Sequence, residues 1–236
     1  PKPQEIEARL GGGSGRYRTI GGYSYNGEKN VGELGPIRSY LPDYAVLRQR
    51  SWDVFLDSLI CQIVIKKYTS WTIGKGLKLQ SEPETLVLED EGVNIEKEKW
   101  TRLIEARFRL FKRSRRSDYS NMSSLNLLES EAFKNAKVGG DVLVIIRYIR
   151  GEIKIQLIDG AHVVSPNNLS GNELFPQIMD NGNRIIHGIE IAPNGEHVAF
   201  HVVKASVTSF NFETERIPAY GRKTGMMMAF MVYGSK

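Results

Sequence analysis

The stretch GGDVLVIIRYIRGEIKIQLIDG, Gly139–Gly160, decides the fold. Its apolar residues are mostly β-branched, and Arg150–Gly151 interrupts them where a tight turn belongs. Short runs of this composition bounded by glycine read as strands rather than helix. The same character continues in RIIHGIEIAP (184–193) and EHVAFHVVK (196–204), with Asp159–Gly160 and Asn194–Gly195 as further turn signals. Asn-Gly between alternating apolar residues predicts a hairpin, because the two-residue turn needs positive φ at both central positions. It puts Ile189 and Ile191 on one face, answered by Val198, Phe200 and Val202 from the next strand. Near the end, GMMMAFMVYG (225–234) reads as a final core strand in which Met fills gaps.

Upstream of Gly139 the period changes to that of a helix. In LPDYAVLRQRSWDVFLDSLICQIVIKKYTSWTIGKG (41–76), Asp43 suits an N-cap and Gly74 a stop. Leu47, Phe55, Leu59 and Ile63 recur between them, predicting a helix of up to about 30 residues, roughly 45 Å long. Its apolar stripe is wide enough to predict cover on both sides. LKLQ (77–80) reads as a short strand. A second helix follows in EKEKWTRLIEARFRLFKRSRR (96–116), where Trp100, Leu103, Ile104, Phe108 and Phe111 share a stripe. A third runs from Ser123 to Lys137, carrying Leu125, Leu128, Ala132, Phe133 and Ala136, and Gly139–Gly140 ends it. Helices followed by antiparallel strands make an α+β chain, not a βαβ alternation. The expected organisation is an extended arm over 1–40, a three-helix segment over 41–140 and an antiparallel β-rich segment over 141–236.

The arm contains nine of the 23 glycines between Gly11 and Gly35, with Tyr17, Tyr23 and Tyr25 among them. Glycine at that density is too costly in backbone entropy for a helix or a central strand. It does not form a phosphate cradle either. GGGSGRYR (11–18) lacks the Lys-Ser/Thr of a P-loop and a preceding strand, and Arg16 stands where a dinucleotide-binding loop requires glycine.

Composition excludes other classes. Apolar residues at 41% and charged residues at 25% match a globular protein rather than a disordered one. No run approaches the ~18 apolar residues of a membrane span. PKPQEIEARL, at the start, has neither the apolar core of a secretory signal nor an initiator Met, so a processed or engineered fragment is expected. The lone Cys61 cannot form an internal disulfide, which fits a reducing compartment.

The net charge of +5 conceals a sharp asymmetry. Residues 81–100 carry seven acids against Lys97 and Lys99, whereas residues 101–116 carry seven bases against Glu105 alone. Such a junction predicts surfaces that meet charged partners. The cations at the end of the basic run, Lys112, Arg113, Arg115 and Arg116, are candidate nucleic-acid contacts through phosphate; the plain alternative is the solvated end of a helix. Candidates for catalysis are scarce. His197 and His201 fall in a strand with their imidazoles on its outer face about 13 Å apart, too far to share an ion. Cys61 sits on an apolar helix, where inert burial is expected, and Asp141 and Asp159 flank strands without a His or second acid at a recognisable spacing. No catalytic, cofactor-binding or metal-binding residue is expected.

Three segments, in order, resemble the lambda-type portal proteins of tailed phages. The first is VLRQRSWDVFLDSLICQIVIKKYTSWTIGKGLKLQSEP (46–83), an Arg-rich helix start leading to Gly74, Gly76, Leu77, Leu79 and Gln80. The second, residues 139–168, has Gly140–Asp141 before a strand and Ile158–Asp159 after the next, followed by Val163 and Pro166. The third, residues 185–204, supplies Gly188, Ile189, Glu190, Gly195, Ala199, Phe200, His201 and Val202, departing from the family pattern at Ala192. The basic run is not among the three.

The resemblance implies a structural subunit of a homo-oligomeric ring, typically dodecameric, at one vertex of the phage head. The ring is a conduit for double-stranded DNA, passing non-specifically, during packaging and ejection. Its implied partners are terminase, head-completion or tail adaptor proteins and the major capsid protein. No cofactor, catalytic residue or membrane is involved. The location is the virion, after synthesis in the bacterial host cytoplasm. Family members run to about double this length, so residues 41–236 are expected to be the wing, without stem, clip or crown. The arm would lie against a neighbour. The alternative is a DNA-processing enzyme or nucleic-acid-binding module using residues 107–116.

Overall fold

The computed structural model describes residues 44–166, 176–204 and 213–234; the arm at 1–40 and the Asp43 cap lie outside them. Where periodicity predicts one long helix there are two, α1 (Tyr44–Asp57) and α2 (Leu59–Ile73). Ser58 leaves the helical region at φ −101°, ψ 110°, and its hydroxyl accepts the Cys61 N–H, so the chain restarts with its own cap. The break is invisible to the apolar spacing because Ser58 and Gln62 still donate backbone bonds to the residues four before them. Gly74 ends α2 as expected, at φ 53°.

LKLQ is not a strand. Side chains rather than a neighbouring strand satisfy this segment. Glu129 accepts the Leu77 N–H, Lys112 donates to the Lys75 and Leu77 carbonyls, and Thr101 donates to the Ser81 carbonyl. The acidic segment between LKLQ and the next long helix carries a short helix, α3 (Thr85–Asp90). Helix α4 (Lys97–Arg113) then runs to Ser114, whose hydroxyl caps a 3-10 turn at Arg115–Ser117. Helix α5 (Leu125–Gly139) is the hub of the helical part, packing on α1, α2, α4 and the strands that follow. Five helices, not three, therefore precede the sheets among the described residues.

Strands β1 (Asp141–Ile149) and β2 (Glu152–Asp159) occupy the expected runs. Arg150 and Gly151 turn between them with φ of 51° and 82°, the left-handed pair that a two-residue hairpin demands. The Met-rich end supplies β8 (Ala229–Tyr233), antiparallel on the other edge of β1. RIIHGIEIAP is itself a hairpin: β4 (Arg184–Ile186) and β5 (Ile189–Ile191) fold back at His187–Gly188. With β3 (Gln177–Ile178), β6 (His197–Lys204) and β7 (Glu213–Pro218) they form a five-stranded antiparallel sheet in chain order. Ile189 faces Phe200, as the alternation predicts, but Ile191 faces His197 because a bulge intervenes.

The two sheets share a core. Leu143 and Ile145 of β1 and Ala229 of β8 meet Phe200 and Val202 of β6 and Ile217 of β7. Leu143 and Phe200 are wholly buried; burial of a side chain of this kind contributes roughly 1.5–3 kcal/mol. Alternation along β1 leaves Val142 and Val144, also buried, for its other face, where α5 packs. The architecture is α+β, helices first and antiparallel strands after.

Candidate assembly surface and the networks that hold it

A buried guanidinium ties α1 to the first sheet. Arg48 of α1 has a side chain only 4% exposed. It bridges Asp141 at the start of β1 (2.5 Å) and Asp159 at the end of β2 (2.7 Å), and also donates to the Gly139 carbonyl (2.6 Å). Antiparallel pairing of β1 with β2 brings those two ends together, with Asp159 opposite Val142. Tyr44, one turn before Arg48, donates its hydroxyl to the Asp141 carboxylate at 2.8 Å. Burial, and then the Asp141 charge, raise the Tyr44 hydroxyl above the usual phenol range, so it stays a donor. Burial also lifts the Asp141 carboxyl, against the pull of Tyr44 and Arg48. Tyr233 at the end of β8 is pushed up to about 12 by burial and by Asp141. Gly160 makes room for the cluster, since a Cβ there would collide with the Asp141 carboxylate.

Asp141 and Asp159, without a partner at recognisable sequence spacing, thus find one 93 and 111 residues away. The cluster joins residues from the first and second resembling segments, and its role is to hold α1 on the sheet. The guanidinium sits between two carboxylates, one at the start of β1 and one at the end of β2, and so ties α1 to both strands.

The third segment makes its own network. Glu190, 1% exposed, accepts from Arg216 Nε and Asn183 Nδ2, both at 2.7 Å. These bonds hold its carboxyl below the ordinary range. His201 does not lie on a solvent-facing side of β6 as the strand pattern predicts. It is buried, with Nε2 3.7 Å from Glu190, because this face of the sheet is covered too. Burial depresses the His201 imidazole and outweighs the Glu190 charge; burial alone depresses His197. Folded His197 and His201 therefore take up protons less readily than the unfolded chain, whose imidazoles titrate near pH ~6.5. Stability is full above that value and falls as pH drops through it. Depressed Glu190 extends the loss below about pH 4.3. Urea unfolding is expected to show a smaller free energy at pH 5.5 than at 7.5, and His197→Gln with His201→Gln should flatten that drop. A free energy that stays level or rises on acidification contradicts this assignment.

The basic run is divided by the structure. Lys112 and Arg113 end α4 and, with Lys75, Lys78 and Arg109, line a cleft of about 610 Å³. Arg115 and Arg116 lie outside it, on the 3-10 turn. Asp118, just after that turn, orders the loop that follows by accepting bonds from the Ser120 N–H and hydroxyl and the Met122 and Ser123 N–H groups. Burial raises the Asp118 carboxyl, but these bonds prevail and lower it. Arg116 reaches Glu152 at 3.3 Å in an exposed pair, a type worth little on its own.

An exposed apolar surface also lies on the helices among the described residues. The cover predicted for both sides of the long helix is absent within the described residues, and α2 has no buried residue. Leu59, Ile60 and Trp71 are 70, 75 and 80% exposed, and Leu56 and Val64 are exposed beside them. Amphipathicity gave no warning, because α1 and α2 carry apolar residues around much of their circumference.

No group of three His, Cys, Asp or Glu residues among those described is placed to hold a metal ion. No described helix is long and apolar enough to cross a membrane. Cys61, expected to be inert through burial, is half-buried and unpaired. A comparison with curated proteins finds no match. The chain does match the family described as phage portal protein, lambda family, over residues 27–232, which takes in every described element except the end of β8. This protein belongs to the lambda family of phage portal proteins, structural and non-enzymatic components of the bacteriophage head.

Proposed function

We propose that this chain is the wing-like part of a subunit that closes into a ring at the head vertex. The ring is the conduit for DNA during packaging and ejection, and it docks terminase first and head-completion or tail adaptor proteins later. The observation that carries this reading is the uncovered apolar surface of α1 and α2 in a member of the portal family. Apolar patches of this extent mark surfaces buried in an assembly. A contact between two different patches repeats from copy to copy and closes into a ring when the rotation allows. The arm at 1–40 would lie against the neighbouring subunit or the capsid, its tyrosines making contacts of low entropic cost.

Incubation with DNA and divalent metal, and separately with ATP, tests the structural role. Neither DNA cleavage nor ATP hydrolysis is expected. Metal-dependent cleavage would instead support a DNA-processing enzyme. Salt-dependent DNA binding lost in Arg113→Glu with Arg116→Glu would support a nucleic-acid-binding module.

A further inference from the structure

Helix α3 has no partner of its own. It has six residues, none buried, and packs extensively against no other helix or strand among the described residues. A helix this short is not stable alone in water. Its surface is specific: Leu86 and Val87 are 78 and 61% exposed, ringed by exposed Glu84, Glu89, Asp90 and Glu91. It is an apolar tip in an acidic collar.

The cleft beside α4 has the complementary form. Its apolar lining comes from Leu77, Leu79 and Phe108, and its rim carries five cations against the single acid Glu105. Lys112 is occupied by backbone carbonyls. The other four, Lys75, Lys78, Arg109 and Arg113, are exposed and form no ion pair among the described residues. None of residues 82–98 lines the cleft, so α3 does not fill its own chain's opening.

We infer that α3 of one subunit seats in the basic cleft of the next, head to tail. Leu86 and Val87 enter the apolar floor, and the acidic collar meets the four free cations. DNA fits less well, because phosphate has no use for the apolar floor and leaves the apolar tip of α3 uncovered. Contact between two different surfaces is the type that propagates around a ring. Complementary charge fixes its register and rejects wrong pairings. The inference rests on the ring reading above and names a contact within it.

Charge reversal in the full-length protein tests it. Glu84→Lys with Glu89→Lys, Asp90→Lys and Glu91→Lys gives two like-charged faces in every contact, and so does Lys75→Glu with Lys78→Glu, Arg109→Glu and Arg113→Glu. Each variant alone is expected to lose ring yield on the order of tenfold or more, since juxtaposed like charges are strongly unfavourable. An equimolar mixture should regain rings, with the two variants in equal amount, because each reversed face then meets its complement. Recovery on mixing also shows that both variants are folded. Wild-type rings together with undiminished rings from either variant would overturn the contact and leave the ring reading standing. Failure of the mixture to recover would also overturn it. Rings from the variant with the four cleft cations reversed that have lost only low-salt DNA retention would assign the cleft to phosphate and sink the inference. No ring from the wild type would sink both readings.

Discussion

Replacing Arg48 with alanine is expected to lower the unfolding free energy by about 3–5 kcal/mol, the range for breaking a buried ion pair from one side. The guanidinium is 4% exposed and serves Asp141, Asp159 and the Gly139 carbonyl together. Its removal strands a carboxylate at Asp141, whose side chain is 12% exposed, with the Tyr44 hydroxyl as its remaining side-chain hydrogen bond among the described residues. A control separates charge from packing. Arg48→Met combined with Asp141→Asn and Asp159→Asn retains the bulk but buries no charge, and should lose clearly less than Arg48→Ala. Denaturant unfolding at neutral pH measures both. A loss below about 1 kcal/mol for Arg48→Ala, the size of an exposed pair, would mean that the cluster does not hold α1 to the sheet.

The second large effect concerns assembly rather than folding. Leu59→Glu, Ile60→Glu and Trp71→Glu alter side chains that are 70, 75 and 80% exposed. Each should change monomer stability by no more than about 0.5 kcal/mol, the usual range for surface substitutions. Combined, they should abolish ring formation by the full-length protein, because a carboxylate buried without a partner at an interface is severely unfavourable. Thermal melting and size-exclusion chromatography read the two quantities separately. Normal rings from the triple variant would show that this face of α2 points away from any neighbour.

Local signals were legible where the chain's own neighbours decide the outcome. Arg150–Gly151 and the β-branched runs beside it define β1 and β2 to the residue, since a two-residue turn fixes the register of the strands it joins. Gly74 and Gly139–Gly140 likewise end their helices near the expected places. Misreadings arose where a small local preference competed with an equally plausible one. Ser58 interrupts a continuous apolar pattern through a single hydroxyl, and His187–Gly188 turns a segment with isoleucines on both sides of the turn.

The networks were hidden for a different reason. Arg48 and its carboxylates are separated by 93 and 111 residues, and only folding brings them together. Glu190 and His201 sit on a face that alternation assigns to solvent, and nothing local reveals that a sheet is covered on both sides. The resembling segments contain these same residues, and in the folded chain they make bonds between elements far apart in sequence. The acidic and basic blocks at 81–116 were plain in the sequence, whereas their division into an isolated helix and an open cleft required the fold.

The central claim is that this chain is a ring-forming structural subunit, and electron microscopy of the full-length protein tests it most directly. Class averages are expected to show closed rings with uniform rotational symmetry and a central channel. Monomers or dimers alone at every concentration would contradict it, and metal-dependent DNA cleavage would point to a DNA-processing enzyme instead.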